Sequence, residues 1–431
     1  MEKQIKFMVI FLLFLIYVIY PHPLNIRYSY SRFIFLFYVV WLFFYLKKTK
    51  IDIPRIEKPP VLPVLFFLVI SVVYSYINPF YLNSDEDTHY VTVIKFLLYT
   101  SQKMGIDTGY TLNRSRMLVD FNRYPPLAYI LQSPIFLISG AVNMIWHGCM
   151  DHPCFNPVNP PTARALSLLF AVLNYTLIYN IAVKSGDRRS ALFTSISVLV
   201  IHSSFFLFNS SYLTAGVFFF YAGVIYLLEE GRYNMASVLS GLGILYKENC
   251  VPLAIISLLY LPRSYTTRFL TTAGLISAPY YIMRLYFVYV RQFGGGSLQN
   301  ILVYLIYLIL MLNFQIIPVS VSIRRDARKY SRYILSLLIF IFIISLDWCI
   351  SDRFLLPALV FLLPFISRGY QHLKNPLPMI LTASLTLYLI FINSYQISPL
   401  LYDSTRFGLQ FNEYPWGEIV EFVRSHTGYY S

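Results

Sequence analysis

Residues 125–146 read Pro125-Pro126-Leu127-Ala128-Tyr129-Ile130-Leu131-Gln132-Ser133-Pro134-Ile135-Phe136-Leu137-Ile138-Ser139-Gly140-Ala141-Val142-Asn143-Met144-Ile145-Trp146. The run is long and apolar enough to cross a bilayer, yet two prolines open it. Whether it crosses decides the topology, because each crossing moves every later loop to the other side. Other apolar runs lie at 5–20, 28–46, 61–79, 163–183, 190–208, 211–228, 234–246, 250–262, 268–290, 300–322, 331–347, 353–367 and 376–394. Suppose 125–146 does not cross. The loops on the N-terminal side then hold Lys47, Lys48, Lys50, Arg55 and Lys58, followed by Lys184, Arg188 and Arg189. They also hold Arg263 and Arg268, then Arg324, Arg325, Arg328, Lys329 and Arg332, and last Arg368 and Lys374. If it does cross, the cluster at 324–332 faces the side opposite 47–58. Basic residues near span ends set orientation and favour the cytoplasm. Residues 125–146 are therefore read as an interfacial or re-entrant segment.

The composition agrees with a lipid-embedded chain. Of 431 residues, 57% are hydrophobic and 13% charged, against about 25% charged in soluble domains. A water-soluble fold of this size has no core large enough for so much apolar surface. The formal charge is +14, but the cations stand in short clusters between apolar runs. That is a positive-inside pattern and not a basic face for nucleic acid. The first run follows Lys3 and Lys6 like a signal peptide. Pro21-His22-Pro23 follow it in place of a small-residue cleavage site, so it reads as a retained helix. No internal repeat is visible.

The expected fold is an all-α polytopic membrane protein with about thirteen transmembrane helices and a large outer loop carrying interfacial helices. Residues 1–60 form two N-terminal spans and a cytoplasmic linker. Residues 61–394 form the main transmembrane domain with its outer loop at 80–162, and 395–431 a short outer tail. The outer loop opens on Asn83-Ser84-Asp85-Glu86-Asp87, an acidic start that suits the N-terminus of an amphipathic helix near 88–98.

This topology places certain charges at the outer face: Asp85, Glu86, Asp87 and His89; Arg164; Lys247 and Glu248; Arg284 and Arg291; Asp347, Asp352 and Arg353. A charge at mid-membrane costs roughly 2.5–3.5 kcal/mol even on the lenient insertion scale. Carboxylates and cations gathered from separate helices onto one face suit an anionic substrate held by Arg and Lys. The plain alternative is boundary charge that snorkels to water. Cys149 and Cys154 would lie outside, as a disulfide or as free thiols, with His147 and His152 beside them. None of the four cysteines forms a CxxC pair, which argues against structural zinc. Gly294-Gly295-Gly296 reads as a turn, and Asn113-Arg114-Ser115 is an outward glycosylation sequon.

Five stretches, in order, resemble the GT-C superfamily of glycosyltransferases. Asp85-Glu86-Asp87-Thr88-His89-Tyr90 follows an early span, and Tyr124-Pro125-Pro126-Leu127-Ala128-Tyr129 lies later in the outer loop. Ala163-Arg164-Ala165-Leu166-Ser167 is similar to the family's Arg-led helix start, and Tyr246-Lys247-Glu248 to its short lysine loop. Arg353-Phe354-Leu355-Leu356-Pro357 is similar to its late Arg-aromatic-Leu-Leu-Pro element. The likeness covers 61–394 and is nearest to the protein mannosyltransferase branch, which includes the aminoarabinose transferases acting on lipid A. Two extra N-terminal spans and a nearly absent outer C-terminal domain depart from the family pattern.

The resemblance implies an inverting transfer from a polyprenyl (dolichyl)-phosphate sugar to a glycan, lipid or protein acceptor, on the outer face of the cell membrane. It implies Asp85 as general base with Glu86 in support, Lys247 and Arg353 on the donor phosphate, and Arg164 orienting the carboxylates. His89, Tyr124, Pro125 and Pro126 complete the surroundings. A divalent metal (Mg or Mn), where the site uses one, would be held by Asp85 and Glu86. Two other classes compete. A transporter or flippase of a lipid-linked substrate tends to show repeats and broken helices, neither of which the sequence displays. A non-catalytic assembly subunit would not depend on Asp85.

Overall fold

The computed structural model describes residues 2–20, 31–52, 54–77, 93, 95–97, 99–100, 102, 125–147, 160–209, 213–287, 298–346 and 354–395. All regular structure among them is helical. In chain order the helices are α1 (Glu2–Phe14), α2 (Ser31–Lys48), α3 (Leu62–Ile77), α4 (Leu127–His147), α5 (Pro160–Ser185), α6 (Arg188–Val200), α7 (His202–Phe208) and α8 (Thr214–Glu229). There follow α9 (Tyr233–Tyr246), α10 (Val251–Ser257), α11 (Arg263–Phe287), α12 (Leu298–Leu312), α13 (Ile316–Asp326), α14 (Ser331–Ser345), α15 (Leu359–Leu373) and α16 (Leu377–Tyr395). Every expected apolar run thus carries helix.

Two helices are long and apolar enough to cross a membrane, Arg164–Ser185 and Asn300–Asp326, and five shorter apolar ones accompany them. Helices α2 and α3 turn large apolar side chains outward: Phe37 is 74% exposed, Phe66 65% and Val69 62%. Contiguous apolar surface of this kind marks contact with another apolar phase.

The chain divides into two compact units. Unit 1 is Met1–Arg55, Asp87–Leu166 and Gly223–Arg291; unit 2 is Ile56–Glu86, Ser167–Ala222 and Gln292–Ser431. In unit 1, α1 and α2 run antiparallel, and the Lys6 ammonium donates to the Lys47 carbonyl at 3.1 Å. Glu2 pairs with Lys6 at 2.8 Å and accepts the Ile51 N–H at 3.2 Å. Asn234 donates to the Lys50 carbonyl at 2.9 Å, and Arg232 pairs with Asp52 at 3.6 Å. The Tyr233 and Tyr265 rings lie 4.8 Å apart. The basic residues at the start of α1, the end of α2 and the starts of α9 and α11 therefore share one end of unit 1.

Helices α9 and α11 are parallel neighbours. Tyr233 meets Tyr265, Gly241 faces Ile276, and the Tyr281 hydroxyl donates to the Ile244 carbonyl at 3.0 Å. Parallel packing forces the chain from Lys247 to Pro262 back along the unit. The short run at 250–262 thus leads the chain back along the unit, although only seven residues of it, Val251–Ser257, are α-helical.

Unit 2 gathers its cations in the same way. Arg188 pairs with Glu57 at 3.5 Å, and the Asn180 amide clamps both the N–H and the C=O of Glu57, at 2.8 and 2.9 Å. The Tyr330 hydroxyl donates to the Ser185 carbonyl at 3.3 Å. His372 and Arg368 meet Asp326 at 2.8 and 3.5 Å. Asp187 caps α6 by accepting the Ser190 N–H at 2.7 Å, which holds its carboxyl below the ordinary range. At the opposite end Asn300 donates to the Ser345 carbonyl at 3.0 Å, so α12 and α14 are antiparallel.

Three findings differ from the sequence reading. Helix α4 is continuous over 21 residues, about 31 Å. Its first turns, Leu127 to Ile130, are buried, which differs from a purely interfacial segment and fits the re-entrant alternative. The run at 190–208 breaks at Ile201, whose ψ of 127° is non-helical. The run at 300–322 breaks at Asn313–Gln315, where Asn313 has φ 57°. Residues 78–92, 103–124, 148–159 and 396–431 lie outside the described set, so the disulfide question at Cys149 and Cys154 falls outside it too.

Two measurements check this arrangement. Single cysteines at Lys58, Arg188 and Lys329, in a cysteine-free background, should all react with an impermeant thiol reagent from one side of sealed vesicles. Labelling from opposite sides breaks the shared basic end of unit 2. Second, a Cβ on Gly369 would stand 2.0 Å from the Pro318 carbonyl oxygen, whereas one on Gly274 meets nothing within 4 Å. Gly369→Ala should cost about 1–3 kcal/mol, and Gly274→Ala should stay within about 0.5 kcal/mol of wild type. Thermal unfolding in one detergent compares the two.

Candidate functional site

The expected site residues are of two kinds. Asp85, Glu86, His89, Tyr124 and Arg353 lie outside the described residues, as do Asp347 and Asp352. Arg164, Lys247, Pro125 and Pro126 are described, and all four belong to unit 1.

Lys247 follows from local chain geometry. Helix α9 ends at Tyr246, and Lys247 takes an extended conformation (φ −159°, ψ 142°). Its N–H donates to the Gly243 carbonyl, and its own carbonyl accepts the Cys250 N–H, both at 3.0 Å. One 3-10 turn, Glu248–Cys250, leads into α10, with Pro252 in the first turn, where its missing N–H costs nothing. The lysine is thus pinned on both backbone sides at the reversal between α9 and α10. That reversal is the end of unit 1 remote from Arg232. Lys247 is only 5% exposed, so it is not a boundary lysine that snorkels into water.

Arg164 stands in the first turns of α5, 1% exposed and among the largest fully buried side chains. Lys184, in the last turn of α5, lies 20 residues further along it, about 30 Å away. Pro125 and Pro126 precede α4 and are buried. Helix α4 packs on α9 and on the π-helical turn Leu15–Ile19, which closes α1 away from Glu2. The proline pair, the lysine turn and the Arg-led helix start therefore all fall within unit 1. Of these, Lys247 and α4's neighbour Leu15–Ile19 lie at the end away from its basic cluster.

Buried tyrosines form the part of this region that sequence reasoning missed. Tyr17, Tyr20, Tyr129, Tyr246 and Tyr280 of unit 1 are all at most 1% exposed. Tyr17 donates to the Ile276 carbonyl at 2.6 Å, and Tyr38 donates to the Leu275 carbonyl. The Tyr20 ring packs on Phe96 at 5.2 Å, while Arg32 donates to the Tyr99 hydroxyl at 2.9 Å. Val93, Phe96, Leu97 and Tyr99 are buried inside the unit, where the sequence had suggested an interfacial helix. The available signal was Tyr129 and Tyr246, each beside a quoted motif.

Among the described residues no group of three or more His, Cys, Asp or Glu side chains comes together to hold a metal ion. Asp85 and Glu86, the pair named for a metal, lie outside that set. The chain has no significant match among protein-family models, curated proteins or solved structures.

Burial makes the two cations unequal to ordinary boundary charges. An Arg fork satisfies several acceptors at once, which a Lys point charge does not. Arg164→Lys should therefore lower stability by about 1–3 kcal/mol. Lys184→Ala, at the exposed end of the same helix, should change it by less than about 0.5 kcal/mol. Equal losses in thermal unfolding would count against a demanding site at Arg164.

Proposed function

We propose that the chain is a membrane glycosyltransferase of the GT-C type, embedded in the cell membrane by about thirteen spans. It moves a sugar from a polyprenyl (dolichyl)-phosphate donor to a glycan, lipid or protein acceptor on the outer face, with inversion. The observation that carries the reading is the burial of Arg164 and Lys247 in one apolar unit, with Lys247 at the end remote from that unit's basic cluster. A cation fixed inside an apolar unit acts more strongly on a phosphate charge than one in water, and a sugar phosphate with its tail in lipid would present that charge.

In this reading an acceptor hydroxyl or amine attacks the anomeric carbon as the bond from that carbon to the phosphate oxygen breaks. Asp85 takes the acceptor's proton, Glu86 supports it, and the electron pair leaves with the polyprenyl phosphate. Lys247 and Arg353 meet the charge that develops on the phosphate, in the manner of an oxyanion clamp. Arg164 orients the carboxylates. A divalent ion held by Asp85 and Glu86 would add Lewis-acid help at the phosphate.

The breaks at Ile201 and at Asn313–Gln315 favour the second reading, a transporter or flippase, because such proteins carry broken helices at mid-membrane. The break at Gln315 is nevertheless filled from within. The Gln315 amide nitrogen donates to Thr382 at 3.0 Å and to the Pro378 carbonyl at 3.2 Å. Its oxygen accepts the Tyr370 hydroxyl at 2.8 Å, and Ser197 stands 2.9 Å from that hydroxyl. A polar knot closed by the protein's own groups suits a structural pin better than a substrate path.

Transfer from a synthetic lipid-phosphate sugar, with donor binding assayed separately, tests the proposal. Asp85→Asn should lower turnover by roughly 10²–10⁴-fold with donor affinity nearly unchanged. Glu86→Gln should cost less. Lys247→Ala and Arg353→Ala should weaken donor use, each by about 1.5–3 kcal/mol. Full turnover in Asp85→Asn removes the catalytic role and leaves the transporter. Comparison of surface glycans and glycolipids by mass spectrometry, with and without the protein, would name the product.

A further inference from the structure

Unit 2 contains an apolar cavity of about 450 Å³ between α3, α6, α7 and α16. Phe66 and Ile70 of α3, Ile196 and Val200 of α6, and Ala383 and Leu387 of α16 line it. Its one hydroxyl, on Thr386, is spent on the Val200 carbonyl at 2.5 Å, so the wall stays apolar. Its lining includes outward-facing apolar residues, with Leu62, Phe66 and Leu387 each about half exposed or more. An apolar cavity reached from the lipid-facing side calls for hydrocarbon, because water has no polar partners there.

The basic end of unit 2 gives that hydrocarbon a headgroup. Arg189 lies seven residues before Ile196, on the same face of α6. That places its Cα about 10 Å from the cavity's near edge, within the roughly 15 Å depth of one leaflet's hydrocarbon. Lys58 precedes Leu62, the first lining residue of α3, by four positions. Arg188 is held at 3.5 Å by Glu57, and Arg189 stacks on Phe193 at 5.4 Å. Asp187 faces its own backbone as the α6 cap. Lys58, Lys184, Arg188 and Arg189 thus stand against two carboxylates, Glu57 and Asp187, four cations minus two anions, an excess of +2.

We propose that unit 2 holds one anionic phospholipid of the leaflet at its basic end, with an acyl chain in the cavity and the phosphate at Lys58, Arg188 and Arg189. The lipid is a bound structural partner of α3, α6 and α16, the helices that leave this gap between them. The inference requires only that the chain is membrane-embedded, and it stands or falls apart from the transferase reading.

The full chain is reconstituted in nanodiscs with equal parts phosphatidylcholine and phosphatidylglycerol, re-extracted, and its retained lipid measured by native mass spectrometry. Wild type should retain one phosphatidylglycerol, preferred on the order of tenfold over phosphatidylcholine. Arg188→Gln with Arg189→Gln should abolish the preference while a chain is still held. Ala383→Phe, which fills the cavity, should lower retention of both lipids about tenfold. One arm needs no variant: dihexanoyl phosphatidylglycerol, whose chains end short of the cavity, should be retained about tenfold less than the dioleoyl lipid. Equal retention of the two headgroups by wild type, or undiminished retention of the dihexanoyl lipid, overturns the proposal.

Discussion

The arrangement rests on the cost of putting a positive charge into an apolar phase. Lys and Arg near a span end stay on the side where they are made, and the helices between them have to alternate. Within each unit the contacts do bring cationic helix ends together. Arg232 meets Asp52 in unit 1, and Arg188 meets Glu57 in unit 2. None of these exposed pairs contributes much stability, since such contacts are worth about 0–1 kcal/mol. Their importance is geometric. They mark which ends of α1, α2, α9 and α11, and of α5, α6, α13 and α15, must coincide.

Once direction is fixed, the helices must be held without help from water. Lipid tails are as apolar as Leu, so packing between helices relies on close approach and on hydrogen bonds. Close approach is visible at Gly369 against Pro318 and at Gly241 against Ile276. The hydrogen bonds are largely the work of tyrosine. Tyr175 reaches the Pro60 carbonyl at 2.9 Å, Tyr226 the Arg55 carbonyl at 2.8 Å, and Tyr330 the carbonyl of Ser185. A tyrosine brings a large apolar ring and one polar atom at its tip. That combination ties a helix to a neighbouring backbone while filling the space between them.

The helix positions were legible because an apolar run bounded by charge has few alternatives in a chain this hydrophobic. The return at 250–262 was legible for the same reason, although its α-helix is only seven residues long. The breaks were not legible. Ile201 and Asn313 are neither Gly nor Pro, while Pro134, Pro279 and Pro364 sit inside continuous helices. The residue types that usually punctuate a helix therefore carried little information here. Tertiary hydrogen bonding decided instead, with Gln315 drawn to Tyr370, Pro378 and Thr382. Tyrosine placement was not legible either: interfacial enrichment is an average, and Tyr17, Tyr129 and Tyr370 lie in the interior. For the candidate site, order and spacing picked out Arg164 and Lys247. Their burial was not readable, because an Arg or Lys at a span end snorkels as readily as it inserts.

That burial separates the two cations by the work each can do. Arg164 stands on a regular helix, where a long side chain with a planar fork can bind several oxygens and fix their orientation. Lys247 is held differently. Its N–H and C=O are both engaged, one closing α9 and the other opening the turn into α10, so its backbone is fixed at a point where the chain reverses. A cation preorganised in this way need not rearrange as charge develops beside it, which is what makes a fixed donor more effective than solvent. Glu248 and the buried Cys250 follow at once in a single 3-10 turn, so the backbone that carries the lysine has no spare length. In the proposed reading Lys247 is therefore the cation assigned to the leaving phosphate, and Arg164 the one assigned to orientation.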